Sequence, residues 1–136
     1  MIGVYVRVRA DGEDYALPVD GVLEVTELGD LAPVPGSAPE VLGVHNLRGQ
    51  VIPVVDLGGM LGLDRGAERE RVVVVEGRDA RLGLAVDSVV EVGGLPPPSE
   101  GAESDYLMGA ALVDGQLVGI VDLEALLGAL VVGSSA

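Results

Sequence analysis

The chain has 136 residues, 49% of them apolar, enough for the core of one ordinary domain or two very small ones; with 2% aromatics that core is filled by Val, Leu, Ile and Ala. A net charge of −14, from 8 basic and 22 acidic residues, disfavours nucleic-acid backbones and anionic membrane surfaces as partners. All the basic residues are arginine and there is no cysteine, which excludes Schiff-base and P-loop lysines, disulfides, thiol nucleophiles and thiolate metal sites, and fits a reducing cytoplasm.

Val4, Val6 and Val8 alternate with Tyr5 and Arg7, the period-2 signature of a half-buried strand and not of a signal peptide. Asp11-Gly12 predicts a turn, Tyr15 to Val19 its hairpin partner, Asp20-Gly21 a bend, and Val22 to Glu27 a third strand. A loop with Pro33, Pro35 and Pro39 follows, then a hairpin of Val44 to Leu47 and Gln50 to Val55 around Arg48-Gly49. Asp56 stands where a helix N-cap belongs and Gly62 where a helix stops. Asp64 to Glu70 reads as a charged connection. Beyond it the plan recurs: a strand at Arg71 to Glu76, prolines 96 to 98, a hairpin turn at Asp114-Gly115, and a closing element from Asp122 to Gly128. Leu117 to Val132 is the most apolar region, but Asp122 and Glu124 interrupt it and it falls short of the ~20 residues of a membrane helix. It is expected to be a buried C-terminal element.

The recurrence is a repeat. Ala16-Leu-Pro-Val-Asp-Gly-Val-Leu-Glu-Val25 matches Gly83-Leu-Ala-Val-Asp-Ser-Val-Val-Glu-Val92 at six of ten positions, offset by 67. Gly49-Gln-Val-Ile-Pro-Val-Val-Asp-Leu-Gly-Gly-Met-Leu-Gly62 matches Gly115-Gln-Leu-Val-Gly-Ile-Val-Asp-Leu-Glu-Ala-Leu-Leu-Gly128 at seven of fourteen, offset by 66. Chance likeness among Val-rich strands does not explain matched Asp, Glu, Gly and Gln. The expected fold is all-β: two packed five-stranded barrels with short helical turns, subdomain 1 about 1–63 and subdomain 2 about 71–130, with exchange of terminal strands left open. A unit of about 65 residues is marginal alone, so the two are expected to pack together.

The repeat also sorts the polar residues: matched ones serve the fold, unmatched ones are candidates for function. Asp20, Asp56, Asp87 and Asp122 are matched and fit turn and cap roles better than an acid–base dyad. Glu24 and Glu91 are matched and are expected to face solvent. His45 is the single histidine; it completes no zinc site, and no Gly-x-Ser-x-Gly elbow accompanies it. Gly58-Gly59-Met60-Leu61-Gly62 fits no phosphate-binding loop, Asp11-Gly12-Glu13-Asp14 lacks calcium-loop spacing, and Glu100, Glu103 and Asp105 form a solvated acidic loop. The segment that survives is Gly43-Val-His-Asn-Leu-Arg-Gly49, where Asn46 and Arg48 stand opposite Leu112 and Asp114. A guanidinium at a hairpin tip suits a partner carboxylate; a salt bridge to the other unit is the structural alternative.

Tyr15 to Val25 followed by Pro33-Val-Pro-Gly36, and above all Gly43-Val-His-Asn-Leu-Arg-Gly-Gln-Val-Ile-Pro-Val-Val-Asp-Leu57, closely resemble the CheW-like chemotaxis coupling family. Leu82 to Val92, Tyr106-Leu-Met-Gly109 and Leu117 to Leu123 extend the likeness over nearly the whole chain. The resemblance implies two SH3-like five-stranded barrels with an apolar groove between them, in a single CheW-like domain spanning 1–136. It implies a cytoplasmic, non-enzymatic adaptor joining the regulatory domain of a sensor histidine kinase to the helical tip of a chemoreceptor, without cofactor, metal or small-molecule substrate. A chemosensory pathway controlling pili or second messengers is the alternative, and a small ligand-binding or hydrolytic barrel a remoter one. By motif, Val22 and Glu24 lie on the contact strand, and Gly43, Asn46, Leu47, Arg48 and Gly49 form the signature hairpin. With no extension at either end, the chain resembles the stand-alone adaptor.

Overall fold

A computed structural model describes residues 3–63, 68–78, 80–99 and 104–134, the last five by backbone alone. Ten strands follow in order: β1 Gly3–Ala10, β2 Glu13–Pro18, β3 Val22–Glu27, β4 Val41–Leu47, β5 Gln50–Asp56, β6 Arg71–Glu76, β7 Arg81–Val86, β8 Ser88–Leu95, β9 Leu107–Val113 and β10 Gln116–Val121. The helix α1, Leu57–Met60, follows β5, and α2, Leu123–Ser134, follows β10. Glu100, Glu103 and the first part of the Asp64 to Glu70 connection lie outside the described residues.

Hairpin chemistry sets the local geometry. The β1–β2, β4–β5 and β9–β10 loops are two residues long, Asp11-Gly12, Arg48-Gly49 and Asp114-Gly115, and all six residues have positive φ. That is the mirror-image turn whose twist matches the strands it joins. Glycine and aspartate accept it readily; arginine, at φ 51°, does not.

The strands form two five-stranded sheets, ordered β8-β1-β2-β10-β9 and β3-β6-β7-β5-β4. Each sheet therefore takes two strands from one half of the chain and three from the other. Two of the four pairings in each sheet cross between halves: β1 with β8 and β2 with β10 in the first, β3 with β6 and β5 with β7 in the second. The pairs β2–β10 and β5–β7 are parallel, a direction no hairpin can produce. The repeat is a unit of sequence, and the sheet is a unit of both halves.

Each sheet curls until the segment after its edge strand meets the opposite edge. Ala32 and Val44 exchange backbone hydrogen bonds of 3.1 and 2.9 Å, and Ser99 bridges to Ala110 in the other sheet. Gly43 and Gly109 sit at these closures with positive φ; a Cβ on Gly43 would lie 2.7 Å from the Ala32 carbonyl oxygen. Each barrel has its own small core, Ala16, Leu95, Ala111, Val118 and Ile120 in one, and Ile52, Val54, Val72, Val74 and Ala85 in the other. The larger core lies between the sheets and draws on both, with Val8, Leu17, Val55, Val73, Leu84 and Leu126 buried in it.

Beside this shared core lies an ion network. Arg69, from the connection between the halves, donates to both carboxylate oxygens of Asp56 at 2.8 and 3.0 Å. It reaches Asp11 in the β1–β2 turn at 2.9 Å and approaches Asp87, between β7 and β8, at 3.5 Å. Asp87 also accepts from the Gly12 backbone N–H at 3.1 Å. One guanidinium thus ties a turn of the first sheet to the end of a strand in the second. The Asp56 hydrogen bond, then the charges of Asp56 and Asp11, hold its proton more firmly than in water, against the opposing effect of burial. Gly58 makes room for Asp11, since any side chain there would collide with that carboxylate.

Two expectations about caps change here. Asp122 caps α2, its Oδ1 accepting from the Ala125 N–H at 3.1 Å. Asp56 occupies the corresponding position before α1 but makes no cap bond, because Arg69 holds its carboxylate. Gly62, at φ 82°, does end the first helical turn. Gly128 does not end the second: α2 runs on to Ser134, because one helical glycine costs only about 1 kcal/mol and the flanking residues are good apolar helix formers. In urea denaturation, Asp122→Ala is expected to cost about 1 kcal/mol, the value of a lost cap. Arg69→Met should cost roughly 3–5 kcal/mol, because it leaves the buried Asp11 and the largely buried Asp56 and Asp87 without their cation; similar losses for the two variants would remove Arg69 from its central place.

Candidate functional site

The residues singled out from sequence converge on the closing edge of the second sheet. Val22 opens β3 and is half-buried against the shared core. Glu24 follows two positions on, past a bulge in the β3–β6 pairing. Gly43 lies in β4 at the barrel closure, with Asn46 and Leu47 at the end of the strand and Arg48-Gly49 forming the turn. β3 and β4 are the outermost strands of their sheet, so only barrel closure brings the two groups together.

The hairpin tip is tightly specified. Asn46 Oδ1 accepts from the Gly49 N–H at 2.8 Å, bracing the turn from within. Asn46 faces outward, while Leu47 turns inward and packs on the barrel core. Arg48 holds its αL backbone and projects a side chain that is 81% exposed. Its Nη2 meets Glu24 Oε2 at 2.8 Å. Arg48 thus makes an internal ion pair, with its own sheet and not with the other unit, and remains open to solvent. Exposed pairs of this kind contribute ~0–1 kcal/mol, little enough for a partner carboxylate to replace Glu24.

Glu91 faces solvent as a matched strand residue should, its side chain 58% exposed, whereas Glu24 is only 22% exposed. Each also accepts from an arginine, of a different kind in the two barrels. Glu91 accepts from Arg7 at 2.9 Å, a buried residue of β1 that also donates to Asp14 at 3.0 Å. Asp14 accepts in turn from Arg9. Sequence reasoning passed over this pair, though an arginine between Val6 and Val8 on a valine-rich strand was the available signal. His45 is a half-buried residue of β4 paired with Ile52 in register. Among the described residues no group of His, Cys, Asp and Glu is arranged to hold a metal ion.

A CheW-like domain profile matches residues 4–131, both sheets included. The chain belongs to the CheW-like domain family. A solved CheW-like structure, the scaffolding protein TtCheW from Thermoanaerobacter tengcongensis, superposes with a TM-score of 0.78 at 29% identity over 89% of each chain. Among curated CheW-like relatives, chemotaxis protein CheW of Thermotoga maritima is 39% identical over 83 residues, covering 60% of this chain and 55% of that protein. The chain thus spans about half the length of that relative, and 83% of a probable chemotaxis protein CheW from Rhizobium etli, at 27% identity. PilI of Pseudomonas aeruginosa is 34% identical over 111 residues, 74% of this chain and 62% of PilI.

The geometry separates what Gly43 and Arg48 do. Gly43→Ala should lower the melting temperature, because the methyl group meets the Ala32 carbonyl in a backbone conformation that alanine resists. Arg48→Gly should leave the melting temperature unchanged or raise it, since glycine relieves the αL strain and only an exposed ion pair is lost. A marked drop for Arg48→Gly would make this arginine part of the fold.

Proposed function

We propose that this chain is a non-enzymatic adaptor that couples a chemoreceptor to a sensor histidine kinase in a bacterial chemosensory pathway. Membership of the CheW-like family supports the role, and the scaffolding protein matched over 89% of the chain supports the mode of action. In this reading Val22, Glu24, Gly43, Asn46, Leu47, Arg48 and Gly49 form the protein-binding site. The observation that carries it is Arg48: a strained, solvent-exposed guanidinium held ready by Glu24 on a braced hairpin. Asn46 and Gly43 set the shape of that hairpin, and the arginine offers its charge to a carboxylate of the kinase's regulatory domain. In this reading the receptor's helical tip docks by helix-in-groove contact, in the apolar groove between barrels that the family resemblance implies. The protein works in the cytoplasm; among the described residues no helix is long and apolar enough to cross a membrane.

A second reading keeps the mechanism and changes the pathway. PilI, and FrzA of Myxococcus xanthus at 36% identity over 110 residues, support an adaptor of a chemosensory system other than flagellar steering.

Titration of the purified chain against the kinase regulatory domain and, separately, a receptor-tip fragment tests the proposal. The chain is expected to bind both, and Arg48→Asp to weaken the kinase side by tenfold or more, about 1.4 kcal/mol, with the melting temperature unchanged. Binding to neither partner would overturn the adaptor reading; unchanged kinase binding by Arg48→Asp would take Arg48 out of the site.

A further inference from the structure

The tip of the β4–β5 hairpin stands beyond the backbone ladders that join it to its neighbours. On the β4 side the last such bonds are those between Val44 and Ala32. On the β5 side the parallel pairing with β7 begins only at Val54 and Gly83. The step before it falls on Pro53, which has no N–H to donate. Gly119, the equivalent of Pro53 in the repeat, does pair with Tyr15 of β2. Leu47 and Ile52 rest on the barrel core, but apolar packing is non-directional and leaves the lateral setting of the tip to its polar bonds.

Two side-chain bonds supply that setting, one on each flank. Arg48 meets Glu24 of β3, and Arg81, the first residue of β7, donates from Nη1 to Gln50 Oε1 at 2.9 Å. Gln50 follows the Arg48-Gly49 turn and pairs with Leu47 across it. Arg81 is oriented in turn by Glu76, its cross-strand partner on β6, at 3.5 Å. Among the described residues the first barrel has no such tie. Gln116 matches Gln50 but makes no side-chain hydrogen bond there, and the place of Arg81 is taken by Asp14, which Arg7 and Arg9 hold. The tie is absent where the turn carries Asp114 and present where it carries Arg48.

The two flanks differ in what docking does to them. A partner carboxylate that takes the Arg48 guanidinium releases Glu24, so the β3 flank is freed as the partner arrives. The bond from Arg81 to Gln50 lies on the other flank and is untouched by that exchange. We infer that Arg81 is a positioning residue for Arg48, on the reading that Arg48 meets a carboxylate of the kinase regulatory domain. Through Gln50 it holds the turn, and with it the backbone of Arg48, in one place while the ion pair is exchanged. A group held in place before docking loses less freedom on binding, which raises affinity.

The test compares the full chain with Arg81→Met, which keeps an apolar stem and removes the donor, and with Gln50→Ala, which removes the same bond from its other end. Without partner, both variants should keep the melting temperature, and NMR relaxation should show greater nanosecond mobility at the Gly49 to Val51 amides. Against the kinase regulatory domain both should bind about fivefold more weakly, the worth of one hydrogen bond. In an Arg48→Asp background, Arg81→Met should cost nothing more, since no arginine is left to position. Unchanged mobility or unchanged affinity in both variants would overturn the proposal. So would a loss that persists in the Arg48→Asp background, because Arg81 would then touch the partner itself. Unweakened binding by Arg48→Asp alone would instead bring down the adaptor site, and this role of Arg81 with it.

Discussion

Everything in this molecule depends on the exchange of strands between its two halves. Because β1 and β2 complete the sheet of β8 to β10, and β6 and β7 complete that of β3 to β5, neither repeat can close a barrel from its own strands. The exchange also forces the halves together, so that most of the buried apolar surface lies between the sheets and is shared. Arg69 then ties the arrangement from the connection itself, joining Asp11, Asp56 and Asp87 from three separate elements. A largely buried cation with several carboxylates is a costly device unless every hydrogen bond is well placed; here the bonds run to Asp11 in the turn of one sheet and to Asp56 at the strand end of the other, and so tie the two together.

That rigidity gives the candidate site its meaning. Barrel closure at Ala32 and Val44 brings the two outermost strands of a sheet together, and with them Glu24 and Arg48. The arginine sits in a backbone conformation it does not favour, held by a turn that glycine and asparagine make possible. Strain that the surrounding structure maintains is characteristic of binding tips. In an adaptor it would place one guanidinium at a fixed point while the shared core relays any displacement to the opposite barrel.

The elements were legible in the sequence because period-2 alternation and Asp-Gly or Arg-Gly turns are local signals. β3, predicted as Val22 to Glu27, has those ends. The pairing of strands was not legible in the same way. A repeat reveals which segments are equivalent, and equivalence does not say whether a segment pairs within its own half or with the other. Asn46 and Arg48 stood out in the sequence because they break the repeat, and the other candidate residues came from the family resemblance, but Glu24 as the partner of Arg48 was not legible: the two lie on separate strands that meet only when the barrel closes. Asp56 and Asp122 show the limit most plainly. Both stand before a helical turn in matched sequence, yet one caps and the other clamps, because an arginine enters the structure near only one of them. A matched residue need not have a matched role when its neighbours in space come from unmatched segments.

Native-state hydrogen exchange on the full chain tests the central claim, that the two barrels are one cooperative body. The slowest amides of β1, β2 and β10 should exchange with the same opening free energy as those of β5, β6 and β7, equal to the global stability from denaturation. Two plateaus, with one sheet opening while the other stays protected, would contradict it.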